Sequence, residues 1–544
     1  MKLGSSVVLL CAAVLASGNG WGKGKGEDGT DAVREYLGRD MIFMTAPGLQ
    51  RYLQDIASKL LSSQQGVPVP RFLIQSTDEF SVFTDTRGNI VVGSEVLRQV
   101  ESEDELAAAI SHELAHVIEK HAQTKNVVQK LPFTIETAHI VALTVDGREK
   151  AAGSTRAGDL SGFASRKLAT TQAAGTVWSD LVSPSWNRKQ ERDADLAGVD
   201  MVRAAGYDPA AFSSLLARVD AAHAVRSERV ELLRQEALKQ FQSMAPGANA
   251  GIGDSILDGL KSSAGSAAVE AAFQQLAGFG TDYDDPEERT TAILEHVQKT
   301  STGRRDKTLR SPRFDAEVRS GANRQLLDAD RAALTIMAGL NSRDPRSVKP
   351  DAEALLADTV LLGLSPHLNL AAGTWLDAVA RKPAEAEQRA VAWLSSDVAP
   401  RSAYLWRASY QIQRREYANA LATLERGADQ LGDRELFLPE MIAAAKGSGD
   451  LDRADALGME CSRAGAGFNL TNIAKVATLL KQPVKEAKAP PPSGVYAQCV
   501  AALGYDPVER QQAALKAQPT AGQQKVPDFG KSFSDKLNKA MGNK

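Results

Sequence analysis

The stretch Ser102–Thr124, SEDELAAAISHELAHVIEKHAQT, decides how the rest of the chain is read. Ser102 followed three residues later by Glu105 forms a capping box, in which hydroxyl and carboxylate each satisfy a backbone N–H left free at a helix start. Leu106, Ala109, Ile110, Leu114, Val117 and Ile118 then recur at helical spacing. Inside this apolar helix lies His112-Glu113-Leu114-Ala115-His116. Positions four apart sit about 40° from each other around a helix, one turn up, so both imidazoles can grip one metal ion from a single face. Glu113, beside the first histidine, can take the proton of a water on that ion. Such a motif also arises by chance on charged helices. Against chance stand an apolar setting in which three polar residues need a reason and a well-marked helix start. His112, His116 and His121, three of the chain's seven histidines, also crowd into ten residues.

With 544 residues the chain is too long for one typical domain. Its 43% hydrophobic and 24% charged residues are ordinary for a globular protein. A net charge of −3 without a long basic block leaves no electrostatic footprint for nucleic acid. Ala- and Leu-rich, aromatic-poor segments point to a mostly helical chain. Lys2, the apolar run Val7–Ala16 and the small residues Ala16-Ser17-Gly18 predict a signal peptide over residues 1–18, too short to span a membrane. No later stretch reads as a transmembrane helix. The mature chain is therefore expected to be exported to the periplasm or cell envelope, with secretion as the second choice. Cys461 and Cys499 remain after cleavage. In an oxidising compartment they can pair; two free thiols are the alternative.

Residues 31–65 read as helical, up to the break at Pro68 and Pro70. Arg71–Gln75, Phe80–Thr84 and Asn89–Val92 read as strands, with a turn at Arg87-Gly88-Asn89. A small sheet thus precedes the histidine helix, and a strand edge near the site can pair with an extended peptide. After the helix, Ala151–Ser165 reads as a loop, and His139 has no partner at metal spacing. A later helix carries Glu191-Arg192-Asp193-Ala194-Asp195 and stops at Gly206-Tyr207-Asp208-Pro209, and another runs from Pro209 to about His223. A hydrolytic zinc site takes three protein ligands and keeps a position for water. A third histidine six residues beyond His116, preceded by glycine, is missing. His121 stands five residues on, about 140° off the ligand face. A carboxylate from a later helix remains, and Glu191 is the best candidate. Asp195, one turn further on the same face, can hydrogen-bond a ligating histidine. Taken alone, Glu191-Arg192-Asp193 reads as a solvated charged face, as charge runs usually are.

These residues carry a family resemblance. The chain resembles the gluzincin metallopeptidases that include HtpX, BepA and the CAAX prenyl endopeptidases, which pair HExxH with a downstream ExxAD motif, here Glu191–Asp195. The helix start at Ser102–Leu106, the histidine at 121, the Gly206–Pro209 stop and the strand pattern of Phe80–Val92 fit as well. The likeness covers about residues 50–300. Lacking the membrane helices of HtpX, the chain is more similar to exported BepA-like members. The resemblance implies a zincin-like domain with one Zn2+ per chain held by His112, His116 and Glu191, Glu113 as general base and Asp195 behind a ligand. Three positions depart from the family. Ser81-Val82-Phe83 replaces Asn-Ala-Phe, Asn187-Arg188 replaces Ser-Arg, and in Asp282–Arg289 (DYDDPEER) Tyr283 stands where the family has a histidine. In BepA-like proteins that histidine restrains activity at the zinc. Tyr283 either donates to an oxyanion or packs. Residues 228–280 are a candidate lid or plug by position.

From Asp344 the pattern changes to short helical pairs. Ala352, Ala386, Ala420 and Ala454 recur at a 34-residue period, that of the tetratricopeptide repeat. An unrelated helical bundle is the alternative. Stacked pairs form a concave surface for protein partners. The chain therefore reads as mainly α. A peptidase domain with a small sheet occupies residues 31–330, helical repeats 344–465, and a Pro-containing linker (Pro490-Pro491-Pro492) with a polar tail 466–544. The expected function is an exported zinc endopeptidase acting on unfolded or misassembled envelope proteins. The rival is a periplasmic chaperone or scaffold that binds clients through its repeats and has a weakly active or structural zinc site.

Overall fold

A computed structural model describes residues 30–38, 40–64, 66–85, 87–121, 188–222, 224–225, 286–300, 311–340, 344–463, 499–500, 502–508 and 510. Residues 1–18, expected to be a signal peptide, His139, Tyr283, residues 228–280 and most of 466–544 lie outside them. The chain is mainly α-helical with one small sheet. Its contacts gather into two compact units, one ending at Phe437 and the other beginning at Leu438. Among the described residues no helix is long and apolar enough to cross a membrane.

The expected helix over 31–65 is two helices, α1 (Thr30–Gly38) and α2 (Pro47–Leu60). The apolar run Met41–Met44 interrupts them because it pairs with the sheet: Met44 N–H donates to Ile74 O, Ser76 N–H to Ile42 O, and Phe43 bridges Gln75. Pro47 then opens α2, where its missing N–H costs nothing. Strands β1 (Phe72–Gln75), β2 (Val82–Thr84) and β3 (Ile90–Gly93) form a sheet in the order β1-β3-β2, parallel between β1 and β3 and antiparallel between β3 and β2. β3 is buried throughout, which is why it reads as an unbroken apolar run. The β2–β3 turn is held by Asp85, whose carboxylate accepts from the N–H groups of Arg87 and Asn89, and by Gly88 at φ +81°.

β3 runs into α3 (Ser94–Gln99), then α4 (Glu103–Ile118). The expected capping box is half formed. Ser102 Oγ accepts from Glu105 N–H at 3.1 Å, while the Glu105 carboxylate reaches past the cap to Glu101 N–H at 2.7 Å. α4 is buried on nearly every side, between α2, β2 and α5 (Arg188–Ala204). Gly198 sets the approach of α5: a Cβ there would lie 2.9 Å from Phe212 and 3.2 Å from His112 N. Beyond Gly206 (φ +83°), Tyr207 OH donates to Glu103 and Asp208 N–H to Asp104, pinning the end of α5 to the start of α4. Phe212 lies on α6 (211–222), and α7 (Pro286–Thr300) packs on α5.

Helix α8 (Gly321–Leu340) runs through residue 330 and is followed in the first unit by α9 (Lys349–Ala357), α10 (Thr359–Leu364), α11 (Leu368–Ala378), α12 (Pro383–Leu394), α13 (Arg401–Gln413) and α14 (Tyr417–Leu431). α11 packs on α12 and α13 on α14. Asp330 is fully buried. Its Oδ1 accepts from Ser76 Oγ (2.6 Å) and His367 Nε2 (2.9 Å), its Oδ2 from Ser94 Oγ (2.7 Å) and Arg98 Nη1 (2.8 Å). This knot ties the sheet, α3 and α8 to the residues just before α11. In the second unit, α15 (Leu438–Ser448) is followed by a helix over 451–463, and Cys461 is disulfide-bonded to Cys499, which decides between the two thiol alternatives.

Ala352, Ala386, Ala420 and Ala454 are all buried, and each sits in the first turn of a helix. Their N–H groups donate to the carbonyls of Val348, Lys382, Glu416 and Asp450 at 3.0–3.1 Å. Arg381, Arg415 and Gly449, one residue before the last three of these acceptors, all have left-handed φ values of 57°, 61° and 84°.

Candidate metal centre

Three side chains converge between α4 and α5. His112 Nε2 and His116 Nε2 lie 3.1 Å apart, Glu191 Oε2 is 3.4 Å from the first, and Glu191 Oε1 is 3.6 Å from the second. Each residue offers one ligand atom, and these atoms all fall within 4.8 Å of one another. A tetrahedral zinc with bonds of about 2.0–2.1 Å separates its ligand atoms by about 3.3 Å. The donor set and spacing therefore fit that ion. Glu191 Oε1 and Glu113 Oε2 are buried without a hydrogen-bond partner, a costly condition that a cation and its water would relieve. Helical geometry explains the convergence: positions 112 and 116 share a face of α4, and Gly198 lets the first turns of α5 come close enough for Glu191 to meet it.

Around this cluster stands a supporting layer. Asp195, one turn after Glu191, accepts from His112 Nδ1 at 2.9 Å. Arg289 on α7 grips the same carboxylate with two bonds of 2.8 Å, and its Nη2 lies 3.5 Å from Glu191 Oε2. His121 Nδ1 is 2.9 Å from His116 Nδ1. Thr84 Oγ1 at the end of β2 donates to Glu113 O at 3.1 Å, fastening α4 to the sheet edge.

The protein's own charges polarise the site. Burial pushes the Glu113 carboxyl up to about 7, against the pull of His112 and Thr84. Burial disfavours the His112 cation, but hydrogen bonds to Asp195 and Glu191 outweigh it and carry the ring up to about 10. His116 moves the other way: burial first, then the charges of His112, His121 and Arg289, hold it neutral. Asp195 is pushed up by burial, yet His112 and Arg289 bring it below the usual carboxylate range.

Residues 47–237 match the family model for Peptidase family M48, and this segment contains His112, His116, Glu191 and Asp195. The chain carries a peptidase family M48 domain. Its curated relatives include the beta-barrel assembly-enhancing protease of Escherichia coli (strain K12), 24% identical over 180 residues, 32% of this chain and 33% of that protein. The protein of the same name from Yersinia pestis is 25% identical over 177 residues, again 32% and 33%. The mitochondrial metalloendopeptidase OMA1 of Schizosaccharomyces pombe is 33% identical over 135 residues, 25% of this chain and 33% of that protein. The chain thus matches about a third of the length of these relatives.

The structure brings together all five residues singled out in the sequence, His112, Glu113, His116, Glu191 and Asp195. The charged face read as an alternative for Glu191 holds for Arg192 and Asp193, which are exposed, while Glu191 and Asp195 are buried. In the sequence Arg289 stands out only as the end of the DYDDPEER segment, and His121 only as a family-like histidine off the ligand face. Arg289 joins from helix α7, beyond the M48 match, and no local pattern links it to Asp195.

Proposed function

We propose that this chain is an exported zinc metalloendopeptidase of the HExxH/ExxAD type. The observation that carries the reading is the convergence of His112, His116 and Glu191 on one point, with the bare Glu113 carboxylate oxygen buried beside them. A zinc ion held there supplies a Lewis acid that activates water and polarises a scissile carbonyl. Glu113 takes the proton of the attacking water and returns it to the leaving amine, and burial makes its carboxylate a better proton acceptor than an exposed one. With zinc bound in place of the His112 Nε2 proton, Asp195 would hold the ring with its remaining proton on Nδ1. Arg289 keeps Asp195 in that role.

The substrate in this reading is an extended segment of an unfolded or misassembled envelope protein. β2 lies at one end of the strand order, against α4, so a peptide can add to it as a further strand. The name of the bacterial relatives supports an envelope role, and the Cys461–Cys499 disulfide supports an oxidising compartment. The equivalent burial of Ala352, Ala386, Ala420 and Ala454 supports tetratricopeptide-like repeats over 344–465 as a surface for clients or partners. That feature alone also suits the scaffold reading.

Metal content of the purified mature chain tests the proposal. About one zinc per chain, lost in His112→Ala and in Glu191→Ala, is the expected result for a three-ligand site. Wild-type protein that holds no zinc and takes none up would leave the scaffold as the better description.

A further inference from the structure

Helix α4 ends at Ile118, and just past its cap residue Glu119 stands Lys120, whose φ of +54° lies in the left-handed region. An L residue enters that region at a cost of about 1–2 kcal/mol. Glu119 N–H still donates to Ala115 O and Lys120 N–H to Val117 O, so the helix closes within a single residue. Glycine is the usual residue at such a stop. A lysine kept in this conformation means that its surroundings hold it there. The reversal changes where the next side chain goes. A continued helix would carry His121 about 140° around the axis from His116. Instead His121 is buried, with its Nδ1 2.9 Å from His116 Nδ1.

Two ring nitrogens bond only when one carries the proton and the other offers a lone pair. A metal-facing His116 needs its lone pair on Nε2, the atom that points at His112 Nε2 and Glu191. Its proton then sits on Nδ1, and His121 accepts it at Nδ1 while keeping its own proton on Nε2. We propose that His121 is a positioning residue of the metal site, the acceptor that fixes the tautomer and ring plane of His116, and that the left-handed turn at Lys120 delivers it. The proposal rests on the zinc reading given above. It makes the support of the two histidine ligands unequal: His112 leans on a carboxylate gripped by Arg289, His116 on an imidazole.

The test uses the full mature chain, with zinc affinity measured by chelator competition in wild type, His121→Asn, His121→Leu and Lys120→Val. Asparagine keeps an acceptor near the place of Nδ1; leucine fills space without one. The leucine variant should bind zinc about 10–100-fold more weakly, and the asparagine variant within about threefold of wild type. Lys120→Val leaves the His121 side chain intact but opposes the left-handed turn, and should weaken binding in the same direction. Nitrogen-15 spectra of the zinc-loaded protein give a readout independent of cleavage. His116 should show a metal-bound Nε2 and a protected Nδ1 proton in wild type and His121→Asn, with that proton exchanging rapidly with water in His121→Leu. Equal weakening by leucine and asparagine would reduce His121 to packing and overturn the proposal, as would no weakening by either. If wild type binds no zinc, or if zinc persists in His112→Ala and Glu191→Ala, the zinc reading itself falls and takes the proposal with it.

Discussion

Two buried clusters in the first unit are built from the same kinds of side chain, yet they are finished differently. At Asp330, a carboxylate, an arginine, a histidine and two serines form a closed set, in which each carboxylate oxygen accepts two hydrogen bonds. At Glu191, two histidines, three carboxylates and an arginine leave Glu191 Oε1 and Glu113 Oε2 without a hydrogen-bond partner among the described residues, and two Nε2 atoms facing each other. A closed network fixes how elements pack, because each polar group has already recovered what burial cost it. An open one, where ligand atoms also lie within 4.8 Å of one another, offers a place for a cation. The contrast separates a structural knot from a chemical site more sharply than burial or charge does, since Asp330 and Glu191 are both almost wholly buried.

The comparison breaks most readily at Glu113. Glu113→Gln should lower peptide cleavage by about 10²–10⁴-fold while zinc content stays at the wild-type level, because only the base is removed. Unchanged behaviour in that variant would favour the scaffold reading. At the closed cluster the expected loss is of stability. Asp330→Ala leaves Arg98 buried without its partner and should cost about 3–5 kcal/mol, read as a lower Tm, with zinc affinity of the folded protein unaltered. Burial pushes the Asp330 carboxyl up, but His367, Arg98 and Ser76 outweigh it and hold it at about 2. A depressed folded-state value gives stability that is present above the unfolded value of about 4 and lost as pH falls towards 2. Asp330→Asn should therefore remove part of the wild-type acid sensitivity in that window, measured by Tm against pH. Arg289→Met sharpens the contrast at a smaller scale. It frees Asp195 from its clamp and should weaken zinc binding about 10–100-fold in chelator competition.

Much of this was legible locally. The start of α4, the three strands, the glycine stop after α5 and the ligand face of His112 and His116 follow from periodicity and capping over a few residues each. Glu191 and Asp195 needed a resemblance, because a charged run at a helix start looks the same whether it faces solvent or a cleft. The long helix expected over 31–65 failed at Met41–Met44, where an apolar run was claimed by the sheet rather than by a helix face. The Asp330 knot was not legible. Its hydrogen-bonded pairs are up to 254 residues apart, and a carboxylate in an amphipathic helix gives no sign of being turned inward. His121 was judged from ideal helical rotation, and one left-handed residue cancels that rule.

The disulfide of the second unit closes a 38-residue separation. By loop-closure entropy such a link is worth about 4 kcal/mol against unfolding. It also governs what a broken chain looks like. Cleavage anywhere between Cys461 and Cys499 yields two polypeptides that still migrate as one until a reductant separates them. A nicked molecule therefore keeps its mass plus one water, and comparison of reduced with unreduced samples reveals the cut.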